Sequence, residues 1–292
     1  PPLVPIHTYF ERYTRKNIPL PLQSHWSNET QLKFLKNIKN RWPQMSKELI
    51  ADVRRAFYAL CTHIDAQIRL VIGTLREEKL LDNTIIMITS DHGDMLGDFG
   101  LFAKRLMYEN STRVPMILLG TKEDKIVGRG KISDRLVGLA DIMPTLLDLA
   151  KINIPASCDG QSMFDKKPRK FLYAEANEGI NATRMVTSNN FKLVWYPYGN
   201  SFQLFDLAND PKELENIYQK TEFQEQIRTL KNILVENLYG KDISFIKQGE
   251  LIGISSDEIK SDNVKTGLGL LGERELLGQR GLHFPPPPID KE

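Results

Sequence analysis

The first half of the chain alternates long helical and short strand-like hydrophobic patterns. Between residues 46 and 80, apolar positions recur at spacings of three and four, which predicts a long amphipathic helix. Residues 84–89, TIIMIT, are β-branched and apolar on both faces, which predicts a central strand of a parallel sheet. Residues 113–119, RVPMILL, predict the next strand. The proline-rich residues 1–45 show no sustained period and predict an irregular surface segment.

The pattern changes after a further predicted helix at residues 141–150, where Asp141 is expected to be the cap. Short segments rich in Val, Leu, Phe, Tyr and Trp then predict a small antiparallel sheet with a hairpin turn at Asn189-Asn190: 170–176, 183–187, 191–196 and 202–206. Asp210-Pro211 predicts the start of a helical region, and a second amphipathic period covers residues 223–238. The tail from about residue 240, which ends in HFPPPPIDKE, predicts irregular structure.

Composition changes this picture little. The chain has 292 residues, 41% hydrophobic and 26% charged, so it is long enough to bury a sizeable core. Its net charge of +2 gives no electrostatic case for nucleic acid or an anionic membrane as partner, and its apolar runs are too short to predict a membrane span. Cys61 and Cys158 lack metal-ligand spacing. They leave the compartment open between periplasmic or secreted and cytoplasmic.

Candidate chemistry gathers where the first predicted strand ends. Asp91 and His92 follow the strand, Gly93 allows a turn, and Lys104 comes about a dozen residues later. Ligands of α/β sheets bind at the carboxyl ends of strands, and a carboxylate with a neutral imidazole can hold a divalent ion. The spacing alone leaves a second interpretation open, in which Asp91 caps a turn, His92 is structural and Lys104 is solvated.

Three separated segments resemble one family. Residues 89–120, TSDHGDMLGDFGLFAKRLMYENSTRVPMILLG, are similar to a segment of the sulfatase family, in the alkaline phosphatase superfamily, that reads S-D-H/N-G, G-L-x-x-K, Y-E and R-V-P. Residues 1–24, PPLVPIHTYFERYTRKNIPLPLQS, resemble the loop after a His-Pro-Pro in many bacterial members, and 202–217, FQLFDLANDPKELENI, resemble L-Y/F-D-L-x-x-D-P-x-E-x-x-N. GQRGLHFPPPP near the end also resembles a tail of that group.

The resemblance implies a fold and a division of the chain. The expected class is α/β, an alkaline-phosphatase-like, mostly parallel sheet sandwiched by helices and incomplete here. Residues 1–155 would be the carboxyl-terminal part of the catalytic core. Residues 156–292 would be a C-terminal subdomain with a small antiparallel sheet, a helix and an irregular tail.

The resemblance also implies roles for particular residues. Asp91 and His92 would be metal ligands, His92 and Lys104 would contact the sulfate, and Lys104 would be catalytic. The metal would be Ca²⁺, with Mg²⁺ or Mn²⁺ known in relatives. Many members have Asn at position 92 and His at position 99, so Phe99 is expected to alter the edge of the pocket. His63 is expected to be structural on the long helix, and the role of His7, near the pocket by resemblance, stays open.

The implied activity is hydrolysis of sulfate monoesters, either of a small molecule or of a sulfated sugar, by a formylglycine made from C/S-x-P-x-R. No such sequence occurs: Cys61 stands in CTHID and Cys158 in CDGQS. We therefore expect the N-terminal portion of the same protein to be a partner that carries the nucleophile and further acidic ligands. An incomplete sheet should expose hydrophobic surface. Two alternatives remain: a phosphonate monoester or phosphodiester hydrolase, and a non-catalytic descendant that binds an anion or a partner.

Overall fold

The structure, a computed structural model, describes residues 3–28, 45–104, 106–122, 125–128, 130–178 and 182–254. Its helices are α1 (His7–Thr14), α2 (Lys47–Glu77), α3 (Glu109–Thr112), α4 (Ile142–Leu149) and α5 (Gln224–Asn237). Its strands are β1 (Ile86–Thr89), β2 (Met116–Leu119), β3 (Leu172–Ala176), β4 (Thr183–Thr187), β5 (Phe191–Tyr196), β6 (Ser201–Asp206), β7 (Ile246–Lys247) and β8 (Glu250–Leu251). The predicted proline-rich tail lies outside the described residues.

Helix α2 confirms the helix that the hydrophobic period predicts. Ser46 caps it, because its hydroxyl accepts the backbone N–H of Leu49 at 3.1 Å. The expectation of an irregular first segment is wrong for residues 7–14, which form α1. Tyr9 and Tyr13 stand four apart and face α2, where Tyr9 stacks on His63 and the Tyr13 hydroxyl lies 2.6 Å from a threonine hydroxyl. Packing against α2 therefore orders a helix that is too short to be stable alone.

Strands β1 and β2 form within the two predicted strand segments, but the expected parallel arrangement is wrong for their pairing. They pair antiparallel, with Ile86 opposite Leu119 and Thr89 opposite Met116. Parallel pairing needs a crossover that returns the chain to the opposite end of the sheet. The described residues of the connection between these strands form short helical turns, and the chain re-enters the sheet at the end where it left, with Met116 opposite Thr89.

Strands β3, β4, β5 and β6 form one antiparallel sheet in sequence order, as the short apolar segments predict. Helix α5 packs on one face, where Val186, Leu193 and Trp195 meet the apolar side of the helix. The opposite face packs on the segment that follows β1. The sheet is thus the structural base of the loop that carries the candidate chemistry.

Two predicted helix signals have other roles. Asp141 lies at the N-terminal position of α4 but does not cap it, because its carboxylate accepts the backbone N–H of Gly138 and of Gln161 and pairs with Arg169. Asp210-Pro211 opens a turn instead of a helix. The Asp210 carboxylate accepts the Glu215 N–H at 2.9 Å across that turn.

The region around β2 and α4 leaves apolar side chains uncovered, as expected of an incomplete core. Ile117 and Leu119 on β2 are exposed, as are Met143 and Leu146 on α4. Among the described residues, β1 and β2 pair only with each other. No described helix combines the length and the hydropathy that a membrane span needs.

Candidate active site

Asp91 and His92 lie directly after β1, in a turn that is held by local hydrogen bonds. The Asp91 carboxylate accepts the backbone N–H of His92 at 3.0 Å, and the Ser90 hydroxyl donates to the His92 carbonyl at 2.9 Å. The His92 N–H is also the main cause that lowers the pKa of Asp91. The side chain of Asp91 is 82% exposed, so its second oxygen stays accessible as an anionic ligand.

The ring of His92 has a defined orientation. Its Nδ1 lies 2.9 Å from the carbonyl oxygen of Gly93. A carbonyl can only accept, so Nδ1 carries the proton and neutral His92 keeps its lone pair on Nε2. That Nε2 lies 3.4 Å from Asp91 Oδ2.

A carboxylate oxygen and an imidazole nitrogen therefore converge, which is a donor set that fits a divalent ion. The described residues contain no group of three or more His, Cys, Asp or Glu side chains placed to hold a metal. Asp91 and His92 can accordingly supply two ligands of a coordination shell.

Gly93 is required by close packing. A Cβ atom at this position would lie 2.0 Å from the Asn110 carbonyl oxygen, and the Gly93 N–H donates to the Ser111 carbonyl at 2.9 Å. The sequence reasoning assigned Gly93 the freedom to turn, whereas the structure shows that it lets the Asp91-His92 turn rest directly on α3. The backbone of α3 thus fixes the position of both candidate ligands.

A looped segment, residues 94–104, brings Ala103, the neighbour of Lys104, back to Asp94. The Asp94 carboxylate accepts the N–H groups of Leu96 and Ala103, at 2.9 and 3.1 Å, and the Met95 N–H donates to the Ala103 carbonyl at 2.9 Å. These bonds close the loop. Ala103, which directly precedes Lys104, is therefore bound to Asp94, two positions after His92. The structure therefore places Asp91 and His92 together after β1, and it places Lys104 directly after the loop closure at Asp94.

The loop adopts backbone conformations that need support. Leu96, Phe99 and Ala103 all have positive φ angles, of 46°, 58° and 61°. Such conformations cost free energy in residues other than glycine and persist only where the surroundings enforce them. The surrounding structure therefore holds the loop in this conformation.

Arg54 and Asp98 supply much of that support. The sequence alone did not predict that these two residues pair. Arg54, on α2, donates from Nη1 to Asp98 Oδ1 at 2.9 Å and to the Leu96 carbonyl at 3.0 Å. The same carboxylate accepts the Leu22 N–H at 2.8 Å and the side-chain amide of Asn110. The available signal was Arg54 itself, a charge placed within the apolar stripe of α2.

Phe99 does not lie at the edge of a pocket, so that expectation is wrong. It is buried, and its ring centroid lies 4.6 Å from that of Trp26, which in turn stacks on Tyr108. The Tyr108 hydroxyl lies 2.7 Å from the Tyr196 hydroxyl on β5. An apolar ring at position 99 therefore fills the core beneath the loop.

The remaining sequence candidates have local roles. Glu109 and Arg113 pair at 3.6 Å across α3, as their spacing predicts. His63 stacks on Tyr9 at 5.1 Å, which confirms its structural role. His7 lies at 3.0 Å from Glu11 on an exposed face of α1.

Two family models match the chain. The model described as Sulfatase matches residues 17–152, and the model described as N-sulphoglucosamine sulphohydrolase, C-terminal, matches residues 97–239. The chain belongs to the sulfatase family. The two matches overlap at the loop that carries Lys104, and the division of this sulfatase chain near residue 155 stays a prediction.

Known proteins similar to this sulfatase chain are longer. An arylsulfatase of Clostridium perfringens is 34% identical over 258 residues, which cover 86% of this chain and 54% of that protein. The chain therefore spans about half the length of this relative.

Solved structures similar to the sulfatase chain show the fold. A phosphonate monoester hydrolase from Silicibacter pomeroyi matches with a TM-score of 0.71 and 22% identity, over 85% of this chain and 55% of that one. A structure in complex with its substrate D-glucosamine-2-N,6-O-disulfate matches with a TM-score of 0.57 and 24% identity, over 70% of this chain and 44% of that one. The sulfatase chain accordingly has the alkaline-phosphatase-like α/β fold with a small C-terminal antiparallel sheet.

Proposed function

We propose that residues 1–292 form the metal-binding and sulfate-binding part of a sulfuric ester hydrolase that cleaves sulfate monoesters. The observation that carries the proposal is the convergence of Asp91 Oδ2 and His92 Nε2 beside the loop closure that anchors Lys104. The 34% identity with an arylsulfatase supports the same reaction class. The substrate is proposed to be a sulfated sugar, since one protein of the same fold was solved with a sulfated glucosamine as its substrate.

Asp91 and His92 would hold the divalent ion, for which we propose Ca²⁺. Such an ion supplies Lewis-acid polarisation of the ester and stabilises negative charge near it. The residues of this chain prepare the site beforehand. The Gly93 carbonyl keeps the proton of His92 on Nδ1, and the His92 N–H favours the ionised form of Asp91.

Lys104 is proposed to bind the non-bridging oxygens of the ester. Its ammonium is a compact positive charge with three donors, and among the described residues no hydrogen bond or ion pair engages it. Those oxygens stay anionic throughout the reaction, so a fixed cation both orients the group and reduces its repulsion toward an anionic nucleophile. The closed loop at residues 94–104 supports this proposal, because its hydrogen bonds anchor the backbone directly before Lys104.

The nucleophile is assigned to a formylglycine that lies outside residues 1–292, since no C/S-x-P-x-R sequence occurs within them. The N-terminal portion of the same protein is the proposed source. The exposed apolar side chains of β2 and α4 are consistent with a core that needs further strands.

Hydrolysis of phosphonate monoesters is the second candidate, because a phosphonate monoester hydrolase shares the fold. A sulfate monoester and a phosphonate monoester each present one negative charge, so one lysine and one metal suit either. The K-R-L-M-Y-E sequence around Lys104 favours the sulfatase.

The test is a comparison of aryl sulfate and aryl phosphonate hydrolysis by the complete enzyme, in which the nucleophile-bearing segment is present. We expect the sulfate to be the better substrate, with Asp91→Asn losing both Ca²⁺ binding and turnover. Asp82→Asn, which breaks an exposed ion pair with Lys122, is the matched control and should keep both. Preferential hydrolysis of the phosphonate would establish the second candidate, and an Asp91→Asn variant with full Ca²⁺ binding would refute the assigned ligand.

A further inference from the structure

A buried charge cluster joins the four-stranded sheet to α3. Lys192, on β5, has a side chain that is 1% exposed and donates from Nζ to Glu109 Oε1 at 2.5 Å and to Glu213 Oε1 at 2.8 Å. Glu213 is equally buried, and its second oxygen accepts the backbone N–H of Glu109 at 2.7 Å. One ammonium thus binds two carboxylates, one of which also holds the first residue of α3.

The backbone around Glu213 is fixed in a way that places this carboxylate. Glu213 has a φ angle of 55°, and its carbonyl accepts the indole N–H of Trp26 at 2.7 Å. Burial is the largest influence on the pKa of Glu213 and raises it, while the ammonium of Lys192 acts in the opposite direction. Buried charges of this kind are poor sources of net stability, because desolvation offsets their attraction. What they do define is a single geometry for the groups they join.

The element held by this cluster is the one on which the candidate metal ligands rest. Ser111, on α3, accepts the Gly93 N–H, and the Asn110 side chain donates to Asp98 of the Lys104 loop. Glu109 precedes both residues directly. A shift of Glu109 would therefore move the carbonyl that fixes Gly93 and, with it, the adjacent Asp91-His92 turn.

We propose that Lys192 and Glu213 are positioning residues that hold α3 through Glu109 and so fix the Asp91-His92 pair for metal binding. The inference rests on the proposed function, because it takes that pair to be metal ligands. Lys192 touches neither ligand and acts through α3. The four-stranded sheet thereby contributes to the active site without placing a side chain in it.

The test uses the complete enzyme with Lys192→Met and Glu109→Gln, and Lys220→Met as the control. Lys220 also pairs with a glutamate, Glu215 at 2.7 Å, but on the surface. Three quantities are measured: the Ca²⁺ dissociation constant by calorimetry, hydrogen exchange at the Gly93 amide, and kcat for p-nitrophenyl sulfate at rising Ca²⁺. We expect Lys192→Met to weaken Ca²⁺ binding about ten- to a hundredfold, the range typical of lost outer-sphere support.

Two further results are expected of Lys192→Met. Exchange at the Gly93 amide should accelerate, and the lost kcat should return when Ca²⁺ is raised to saturation, which a general loss of folding would not allow. Lys220→Met should match the wild type in all three measurements. If Lys192→Met fails to fold, Glu109→Gln decides, because glutamine keeps the shape of the side chain and removes only its charge.

Unchanged Ca²⁺ affinity and unchanged Gly93 exchange in a folded variant would overturn the inference. A failure of the proposed function would give a different experimental result. A wild-type enzyme that binds Ca²⁺ but hydrolyses no aryl sulfate would refute the sulfatase proposal. Altered Ca²⁺ affinity and altered Gly93 exchange in Lys192→Met would still support the positioning role in that case.

Discussion

At the scale of single residues, the proposed contact between Lys104 and the sulfate group predicts the most direct effect on rate. Removing one preorganised charge at a reacting group usually costs about a hundred- to a thousandfold in kcat. We expect that loss for Lys104→Ala in the complete enzyme, with Ca²⁺ binding retained. Lys104→Arg should recover only part of it, because a planar guanidinium cannot replace a compact ammonium.

The measurement for Lys104 is steady-state hydrolysis of an aryl sulfate. Lys122→Ala is the matched control, since Lys122 is an exposed lysine whose ammonium lies 3.7 Å from the Asp82 carboxylate. Equal losses at the two positions would show that only general positive charge matters.

Gly93 allows a second prediction at this scale, with Gly73 as its control. A methyl group at Gly93 would lie 2.0 Å from a backbone oxygen, whereas nothing lies within 4 Å of the same position at Gly73 on α2. Gly93→Ala should therefore lower the melting temperature and Ca²⁺ affinity. Gly73→Ala should raise stability by about 0.5–1 kcal/mol, because alanine favours a helix interior. Thermal melts of both variants check this, and a neutral Gly93→Ala would contradict the described contact.

At the scale of elements, α2 supports the Lys104 loop. Two neighbouring arginines of α2 allow a comparison between a buried ion pair to that loop and an exposed ion pair on the surface. Arg54 pairs with the buried Asp98, and Arg55 pairs with the exposed Asp52 at 2.7 Å. Arg54→Met leaves a buried carboxylate without its partner, so it should cost about 3–5 kcal/mol of unfolding free energy. Arg55→Met should cost about 1 kcal/mol or less. Denaturant unfolding of the complete enzyme measures both, and similar losses would refute the assigned role of Arg54.

Elements with a strong period could be predicted from the sequence, and elements set by distant contacts could not. The helical period of α2 and the apolar segments of β3 to β6 appear in the order of residues alone. The pairing direction of β1 and β2 depends on how the intervening loop folds, which no local pattern records. The short helix α1 packs on α2 through Tyr9 and Tyr13, and the turn at residues 210–213 is followed by the buried pair of Glu213 with Lys192.

The candidate site likewise contains some residues that the sequence could predict and others that it could not. Family resemblance identified Asp91, His92 and Lys104, because these residues stand in a contiguous motif. Arg54 and Lys192 lie far from that motif in sequence and are joined to it by buried ion pairs with Asp98 and Glu109. Each is a charged residue in an apolar segment, so the sequence could mark it as unusual but could not name its partner.

At the scale of the whole molecule, residues 1–292 contain no C/S-x-P-x-R sequence from which the proposed formylglycine could be made. We expect these residues, expressed alone, to release no sulfate from an aryl sulfate, since neither cysteine stands in C/S-x-P-x-R. Sulfate release in the presence of Ca²⁺ is the measurement, with the complete enzyme as the positive control. Turnover by residues 1–292 alone would show that the nucleophile lies within them.

The cluster around Trp26 also has a consequence for the order of events during synthesis. Its indole packs on Phe99 from the loop, on Tyr108 directly before α3 and on Phe205 from the last strand of the four-stranded sheet. A ribosome adds about 5–20 residues per second, so roughly 10–40 s separate the appearance of Trp26 from that of Phe205. During that interval the nascent chain cannot complete this cluster. The loop that carries Lys104 therefore lacks part of its packing until β6 has been synthesised. A nascent chain arrested before β6 should therefore keep its Trp26 fluorescence accessible to a quencher.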